Sequence, residues 1–285
     1  MPETDHPDTA ADRHWWQRSP WSRTGSRWVQ EGSGWVRDRG HQIAVVLGLT
    51  LVVLGTAGFL GVYDAVQDRD DLAELDEPVL GGLVAARSGT MTAVLTAVST
   101  VTGPVVLPVI VVAATLVWGF VRRSWWQAGL LAGAMVLSTL VSMTLKAAVA
   151  RPRPPVDTMS VPGYETTYSF PSGHTIATAT LLLVIGYLAW VRRPQVGSLV
   201  AWAVLVTAGT GLVAVSRLYL GYHFVTDVLA SMALAIAILG LVIALDRRRA
   251  VHAARATHLP GTRHESAKSI EGERPRQDSN LRPAD

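Results

Sequence analysis

Three short segments of this sequence carry residue types suited to phosphate chemistry: KAAVARPRP at 146–154, PSGH at 171–174 and SRLYLGYHFVTD at 216–227. They supply the cations Lys146, Arg153 and Arg217, the imidazoles His174 and His223, the carboxylate Asp227 and a Ser172-Gly173 turn. Fixed cations and backbone N–H groups match phosphate oxygens, which accept charge-assisted hydrogen bonds. A glycine at the start of a helix lets the backbone approach an anion, and the helix N-terminus favours negative charge. Two histidines suit a nucleophile and a general acid. His223 and Asp227 stand four apart, so on a helix they share one face. The carboxylate could then hold one ring nitrogen as N–H and leave the other free to attack.

The elements that must position these residues are apolar. Of 285 residues, 49% are hydrophobic and 16% charged, and the mean hydropathy is positive. That balance argues against a soluble globular class. Runs near 42–63, 104–120, 126–148, 174–191, 197–215 and 224–245 each approach the length a bilayer core requires. The segment 89–103 is moderately apolar and ends at Gly103-Pro104, which predicts a separate helix lying at the outer surface or leading into the second span. Residues 1–41 form a polar Arg- and Trp-rich segment without the pattern of a cleaved signal, so the first run reads as an uncleaved signal anchor. Residues 246–285 are polar, with scattered Pro, Gly and charge, and are expected to be disordered. The predicted class is therefore all-α, a six-helix membrane bundle over 42–245 with polar tails on either side.

Charge sets the expected orientation. Arg122 and Arg123, Arg192 and Arg193, and Arg247 to Arg249 follow alternate spans, and six arginines precede the first. Together they mark one positive, cytoplasmic face that holds both termini. Asp64, Asp68, Asp70, Asp71, Glu74, Asp76 and Glu77 place the first loop outside. Trp118, Trp125, Trp126, Trp190 and Trp202 fall near the inner interface, where amphipathic rings settle. The loops carrying Lys146 to Pro171 and Arg217 to His223 then lie outside despite their positive charge. Ionisable groups at such depth are expensive and usually functional. The basic residues form no nucleic-acid stripe, so no nucleic-acid partner is expected. With no cysteine, disulfides and thiolate chemistry are excluded. Lysine occurs only at Lys146 and Lys268; this arginine bias points to a GC-rich bacterial genome and so to a bacterial inner membrane.

The order Lys-x6-Arg-Pro, Pro-Ser-Gly-His, Ser-Arg-x5-His-x3-Asp resembles the three-part signature of the type 2 phosphatidic acid phosphatases, or lipid phosphate phosphatases. These share their site with vanadium haloperoxidases. Every signature position is matched: Lys146, Arg153 and Pro154; Pro171 to His174; Ser216, Arg217, His223 and Asp227. The resemblance covers about residues 42–245. It implies that His223 attacks phosphorus and becomes a phosphohistidine, that Asp227 orients it, and that His174 protonates the leaving group and then activates water. It also implies that Lys146, Arg153, Arg217, Ser172 and the Gly173 amide bind the phosphate, with no metal or other cofactor. His223 must then be neutral while His174 is protonated. The nearby arginines should lower both pKa values, and Asp227 should restore one.

Singly, each residue has an ordinary reading. Ser172 is a helix cap accepting from the first turn, Lys146 a snorkelling interfacial cation and Arg217 an interface anchor. Arg151 reads as a flank of the signature and Ser216 as loop support. Tyr164, Tyr168, Tyr219 and Tyr222 line a pocket or form an aromatic belt. The Arg and Trp segment at 13–39 reads as positive-inside signal rather than a lipid-binding patch. Jointly, the residues imply a membrane phosphatase with an outward-facing site. Its substrate would be a lipid phosphomonoester or pyrophosphate: phosphatidic acid, phosphatidylglycerophosphate or an isoprenyl (undecaprenyl) pyrophosphate. A phosphotransferase passing phosphate to an alcohol would use the same residues. A non-catalytic transporter or scaffold would have no use for the full signature, and a haloperoxidase does not fit a membrane chain.

Overall fold

The structure, a computed structural model, describes residues 21–257 apart from 162 and 164. The described chain is helical: α1 (Trp21–Asp68), α2 (Asp76–Ala85), α3 (Gly89–Val101), α4 (Val106–Val121), α5 (Trp125–Val149), α6 (Gly173–Arg192), α7 (Val196–Tyr219) and α8 (Val225–Thr257). Short 3-10 turns occupy Asp71–Leu75 and Val156–Thr158. The parts of α1 and α8 over Gly40–Asp68 and Val225–Ala253, with the whole of α5, α6 and α7, are each long and apolar enough to cross a membrane. Helices α3 and α4, bent by 50° to each other, meet the same length and apolarity only as a pair, and taken as one span they bring the candidate crossings to six. The bend falls at Gly103-Pro104, where proline removes a donor and clashes with the preceding turn. The separate helix expected over 89–103 is therefore present, and it leads into the second span.

The polar tails start elsewhere than composition suggests. Helix α1 begins at Trp21, so the second half of the polar 1–41 segment is a helical extension of the first span. The disorder expected from 246 is corrected over 246–257, because α8 continues through Arg247, Arg248 and Arg249 to Thr257. Residues 1–20 and 258–285 lie outside the described residues.

Two packing zones fix the bundle. Helices α1 and α8 approach closely through small residues: a Cβ at Gly240 would collide with the Gly48 carbonyl, and one at Gly55 would lie 2.6 Å from the Ala233 carbonyl. In a bilayer such close backbone packing, rather than water exclusion, holds helices together. Between α5, α6 and α8 the buried Leu131, Ile176, Val184, Leu188 and Leu239 form the main core. At one end of the bundle Arg192 donates to Gln127 (2.8 Å), and Trp126 and Tyr187 both donate to Asp246 (3.0 and 2.9 Å). Arg247 and Arg249 lie against Tyr187 and Trp126 there. The predicted positive termini of α6 and α8 thus gather at one end, and the three chemistry-bearing segments lie at the other.

Candidate active site

Each segment reaches the site because a helix stops or starts there. Helix α5 ends at Val149, Ala150 turns left-handed at φ 50°, and Pro152, Pro154 and Pro155 prevent continuation. Lys146 sits in the last turn of α5, and Arg153 follows in the extended strip. Helix α7 ends at Tyr219, and Gly221 at φ 76° lets the chain reverse tightly into α8. A side chain at Gly221 would also collide with the Thr158 carbonyl. The reversal delivers His223 just ahead of α8 and Asp227 in its first turn.

His223 and Asp227 do meet, although not as neighbours on a helix face. His223 precedes α8, and Asp227 caps the helix start. Its Oδ2 accepts the Phe224 N–H (3.0 Å) and faces His223 Nδ1 (3.1 Å). Both side chains are buried. A carboxylate opposite Nδ1 favours a proton there, leaving Nε2 as the free lone pair. Nε2 lies 3.3 Å from Arg153 Nη1, a donor that an unprotonated Nε2 can accept from. Burial, followed by Arg217, Arg153 and Lys146, pushes the His223 imidazole well below its ordinary pKa. The ring is therefore neutral at neutral pH, as a nitrogen nucleophile must be.

Arg153 touches that nitrogen, and Arg217 and Lys146 lie near enough to act on the ring. Arg153 also donates to the Tyr222 carbonyl (2.7 Å) and Thr167 Oγ1 (3.0 Å). Lys146 donates to the Tyr168 carbonyl. Arg217 is fully buried, donates to Ser99 Oγ (2.6 Å) and lies over the Tyr222 ring at 4.6 Å. Ser216 donates to the Leu95 carbonyl (3.0 Å), so it supports the loop. His174 stands half-buried in the first turn of α6, beside Gly103 at the α3–α4 bend. Ser172 departs from the capping expectation. Its hydroxyl pairs with Thr175 Oγ1 (3.0 Å) and caps no backbone N–H of α6. Tyr219 and Tyr222 are buried packing residues, with the Tyr219 hydroxyl accepting from the Ser88 N–H at 2.7 Å. Tyr168 is exposed, and Tyr164 lies outside the described residues.

Lys146, Arg153, Gly173, His174 and His223 line the head of one cleft of about 770 Å³. Below them the walls are apolar: Leu107, Val111 and Leu116 on α4, Met135, Val136 and Leu140 on α5, and Ile176 on α6. The lining on α5 runs from Lys146 to Ala132, which is about 21 Å of helix.

Three residues escaped the sequence reading. Glu165 bridges two of the cations, accepting from Arg217 through Oε1 and from Arg153 through Oε2 (2.8 Å). Burial opposes its ionisation, but Arg217 and Arg153 outweigh this and hold the carboxyl down at about 2. Arg151, read as a flank, donates to Asp227 Oδ1 (2.7 Å) and to Asp76 Oδ2 (2.7 Å). Asp76, read as one of many loop acids, is buried and accepts the Thr226 N–H (3.0 Å). The usable signals were faint: a doubled Arg-Pro, and a carboxylate set inside a cationic loop.

A buried imidazole–carboxylate pair, ringed by fixed cations at the head of an apolar cleft, defines a helical membrane protein built to handle an anionic group on a greasy carrier. Comparison with known proteins makes the class specific. Residues 127–250 match the family model of the PAP2 superfamily. The chain is 31% identical over 143 residues to phosphatidylglycerophosphatase B of Bacillus subtilis (strain 168), covering 50% of this chain and 68% of that one. It also resembles the crystal structure of a transmembrane PAP2-type phosphatidylglycerolphosphate phosphatase from Bacillus subtilis. That likeness has a TM-score of 0.59 at 26% identity, over 71% of this chain and 96% of the other. Aquifex aeolicus LpxE aligns with a TM-score of 0.46 at 21% identity, over 59% of this chain and 94% of the other. The chain belongs to the PAP2 superfamily.

Proposed function

We propose that this protein hydrolyses the phosphate ester or diphosphate of a membrane lipid through a phosphohistidine on His223. The observation that carries the reading is the placement of His223 Nε2. It lies 3.3 Å from Arg153 at the head of the apolar cleft that Lys146 also lines, with Arg217 buried behind and Nδ1 facing Asp227. The lipid phosphate enters head-first against the cations while its chains lie along α4 and α5. Nε2 attacks phosphorus, and the bond from phosphorus to the leaving oxygen breaks as His174 delivers a proton to that oxygen. Water then attacks phosphorus as His174 takes its proton, the phosphorus–nitrogen bond breaks, and inorganic phosphate departs with His223 restored. Lys146, Arg153 and the Gly173 amide at the cleft, with Arg217 and Ser172 behind them, stabilise the charge on the phosphoryl oxygens in both steps, without a metal. Phosphatidylglycerophosphate, the substrate named for both Bacillus relatives, heads the candidates, with phosphatidic acid and isoprenyl pyrophosphate beside it. The arginines at the far ends of α6 and α8 favour a cytoplasmic location for that end and an outward-facing site in a bacterial inner membrane.

The test is phosphate release by detergent-purified protein from these three lipids, with chelator present throughout. Wild type should turn over at least one of them. His223→Ala should fall by about 1,000-fold or more, and His174→Ala by about 100-fold or more. Full activity in His223→Ala refutes the nucleophile, and abolition by chelator refutes a reaction without metal.

A further inference from the structure

The motif residues do not hold Asp227 by themselves. Its Oδ1 is engaged by Arg151 Nη1 at 2.7 Å, while Oδ2 serves Phe224 N–H and His223 Nδ1. Arg151 Nη1 also donates to Thr226 Oγ1 (2.7 Å), and Nη2 to Asp76 Oδ2 (2.7 Å). Thr226 in turn gives its N–H to Asp76 Oδ1 (3.0 Å) and its hydroxyl to Oδ2 (2.6 Å). The guanidinium lies 4.4 Å over the Phe224 ring. The result is a closed circuit that joins the start of α2 to the start of α8. The backbone at Arg151 is pinned as well, because its carbonyl accepts the Ser169 N–H (3.0 Å). Asp76 and Asp227 are almost fully buried. A buried carboxylate needs a partner, and each of these has the same one.

We infer that Asp76 and Arg151 are positioning residues that fix Asp227 and set how strongly it draws a proton onto His223. The inference rests on His223 being the nucleophile. Arg151 withdraws part of the Asp227 charge from His223, and Asp76 withdraws part of the Arg151 charge from Asp227. Sign alternates along the line Asp76, Arg151, Asp227, His223. Deleting one link therefore moves the His223 pKa one way, and deleting the next moves it the other way. The remaining charges facing His223 are Lys146 from α5, Arg153 and Glu165 from the α5–α6 loop, His174 from α6 and Arg217 from α7. All stay in place in the variants below.

The experiment measures kcat/KM against pH for the purified full chain, with dioctanoyl phosphatidic acid as the substrate. The acid limb reports protonation of the nucleophile in the free enzyme. Ionisation of the substrate adds its own limb, the same in every variant, so the shift is read on the further break that protonation of His223 adds to the profile at lower pH. Arg151→Gln should move the acid limb up by about one pH unit, and Asp76→Asn should move it down by about the same amount. The double variant should return near wild type, because the two opposite shifts cancel. Limbs that stay put while rates fall, or that move in the same direction, overturn the inference and leave only a structural role. Asp76→Asn is near-isosteric and decides alone should Arg151→Gln fail to fold: a lowered limb supports the inference, an unmoved one overturns it. His223→Ala runs alongside. Undiminished activity there overturns the nucleophile reading, whereas a dead His223→Ala with unmoved limbs overturns only the present inference.

Discussion

If phosphate binds as proposed, Glu165 occupies the place it needs. Its carboxylate takes one donor from Arg217 and one from Arg153, two of the cations proposed to grip substrate, and it lines the same cleft. A carboxyl held at about 2 instead of its ordinary 4.5 prefers the ionised, paired form by about 3 kcal/mol. A lipid phosphate must displace that contact before the arginines can close on it. Removing the charge by Glu165→Gln should therefore tighten binding of inorganic phosphate or orthovanadate. The ceiling is about 100-fold, because 1.4 kcal/mol is tenfold; a glutamine still accepts one hydrogen bond, so about tenfold is expected. Titration calorimetry on detergent-purified protein at neutral pH measures this directly. The same numbers fix a second observable with the sign determined. The folded pKa lies below the unfolded one, so the stabilisation is complete above about pH 4.5 and is lost as pH falls toward 2. Wild type should melt above the variant at neutral pH, and the gap should close over that window. Equal or weaker anion binding by Glu165→Gln refutes displacement, and a pH-independent gap in melting temperature refutes the charge-pair account of the stability.

Two further outcomes follow from the geometry. A Cβ on Gly173 would meet only Ser142 Oγ, at 3.8 Å, and would project into the cleft; Gly173→Ala should melt no lower than wild type, since alanine favours helix, yet lose about tenfold or more in kcat/KM, and an unimpaired variant would show that phosphate does not approach that backbone. For orientation, Val161 is 50% exposed in the loop between α5 and α6, and the chain has no native cysteine; Val161→Cys should react with a membrane-impermeant thiol reagent on intact cells, and labelling only after lysis inverts the proposed topology.

The spans were legible because a bilayer demands long apolar runs, and the bend at Gly103-Pro104 because proline cannot continue a helix. The signature residues were legible by type and spacing. Their division into two tiers was not. Lys146, Arg153, Gly173, His174 and His223 line the cleft, whereas Ser172, Arg217 and Asp227 are buried behind it. Burial of this kind depends on which helices pack together, and no local pattern encodes it. Asp76 makes the point most sharply. It is one of seven acids between residues 64 and 77, and what separates it from the exposed Asp70, Glu74 and Glu77 is contact with Thr226 and Arg151, 150 and 75 residues away. Arg151 was hidden differently, since spacing from Lys146 selects Arg153 and makes the first Arg-Pro look redundant.

Charge balance connects the two carboxylates the sequence concealed. Lys146, Arg151, Arg153 and Arg217 face Asp76, Asp227 and Glu165, so the site holds four cations against three carboxylates, before any proton on His174. Asp76 and Asp227 are bound into the Arg151 circuit, buried and pinned to the backbone of α8, and neither can leave without unmaking the start of that helix. Glu165 is held only by side chains on a loop. Counting the proton that the proposed mechanism needs on His174, a phosphate dianion that enters beside Glu165 brings the site to neutrality, and one that replaces Glu165 leaves one positive charge. Charge therefore does not force Glu165 out. The proposed exchange turns on shared donors instead, because the Arg153 and Arg217 nitrogens now on Glu165 are those proposed to meet the phosphate oxygens, while the Arg151 circuit stays unchanged.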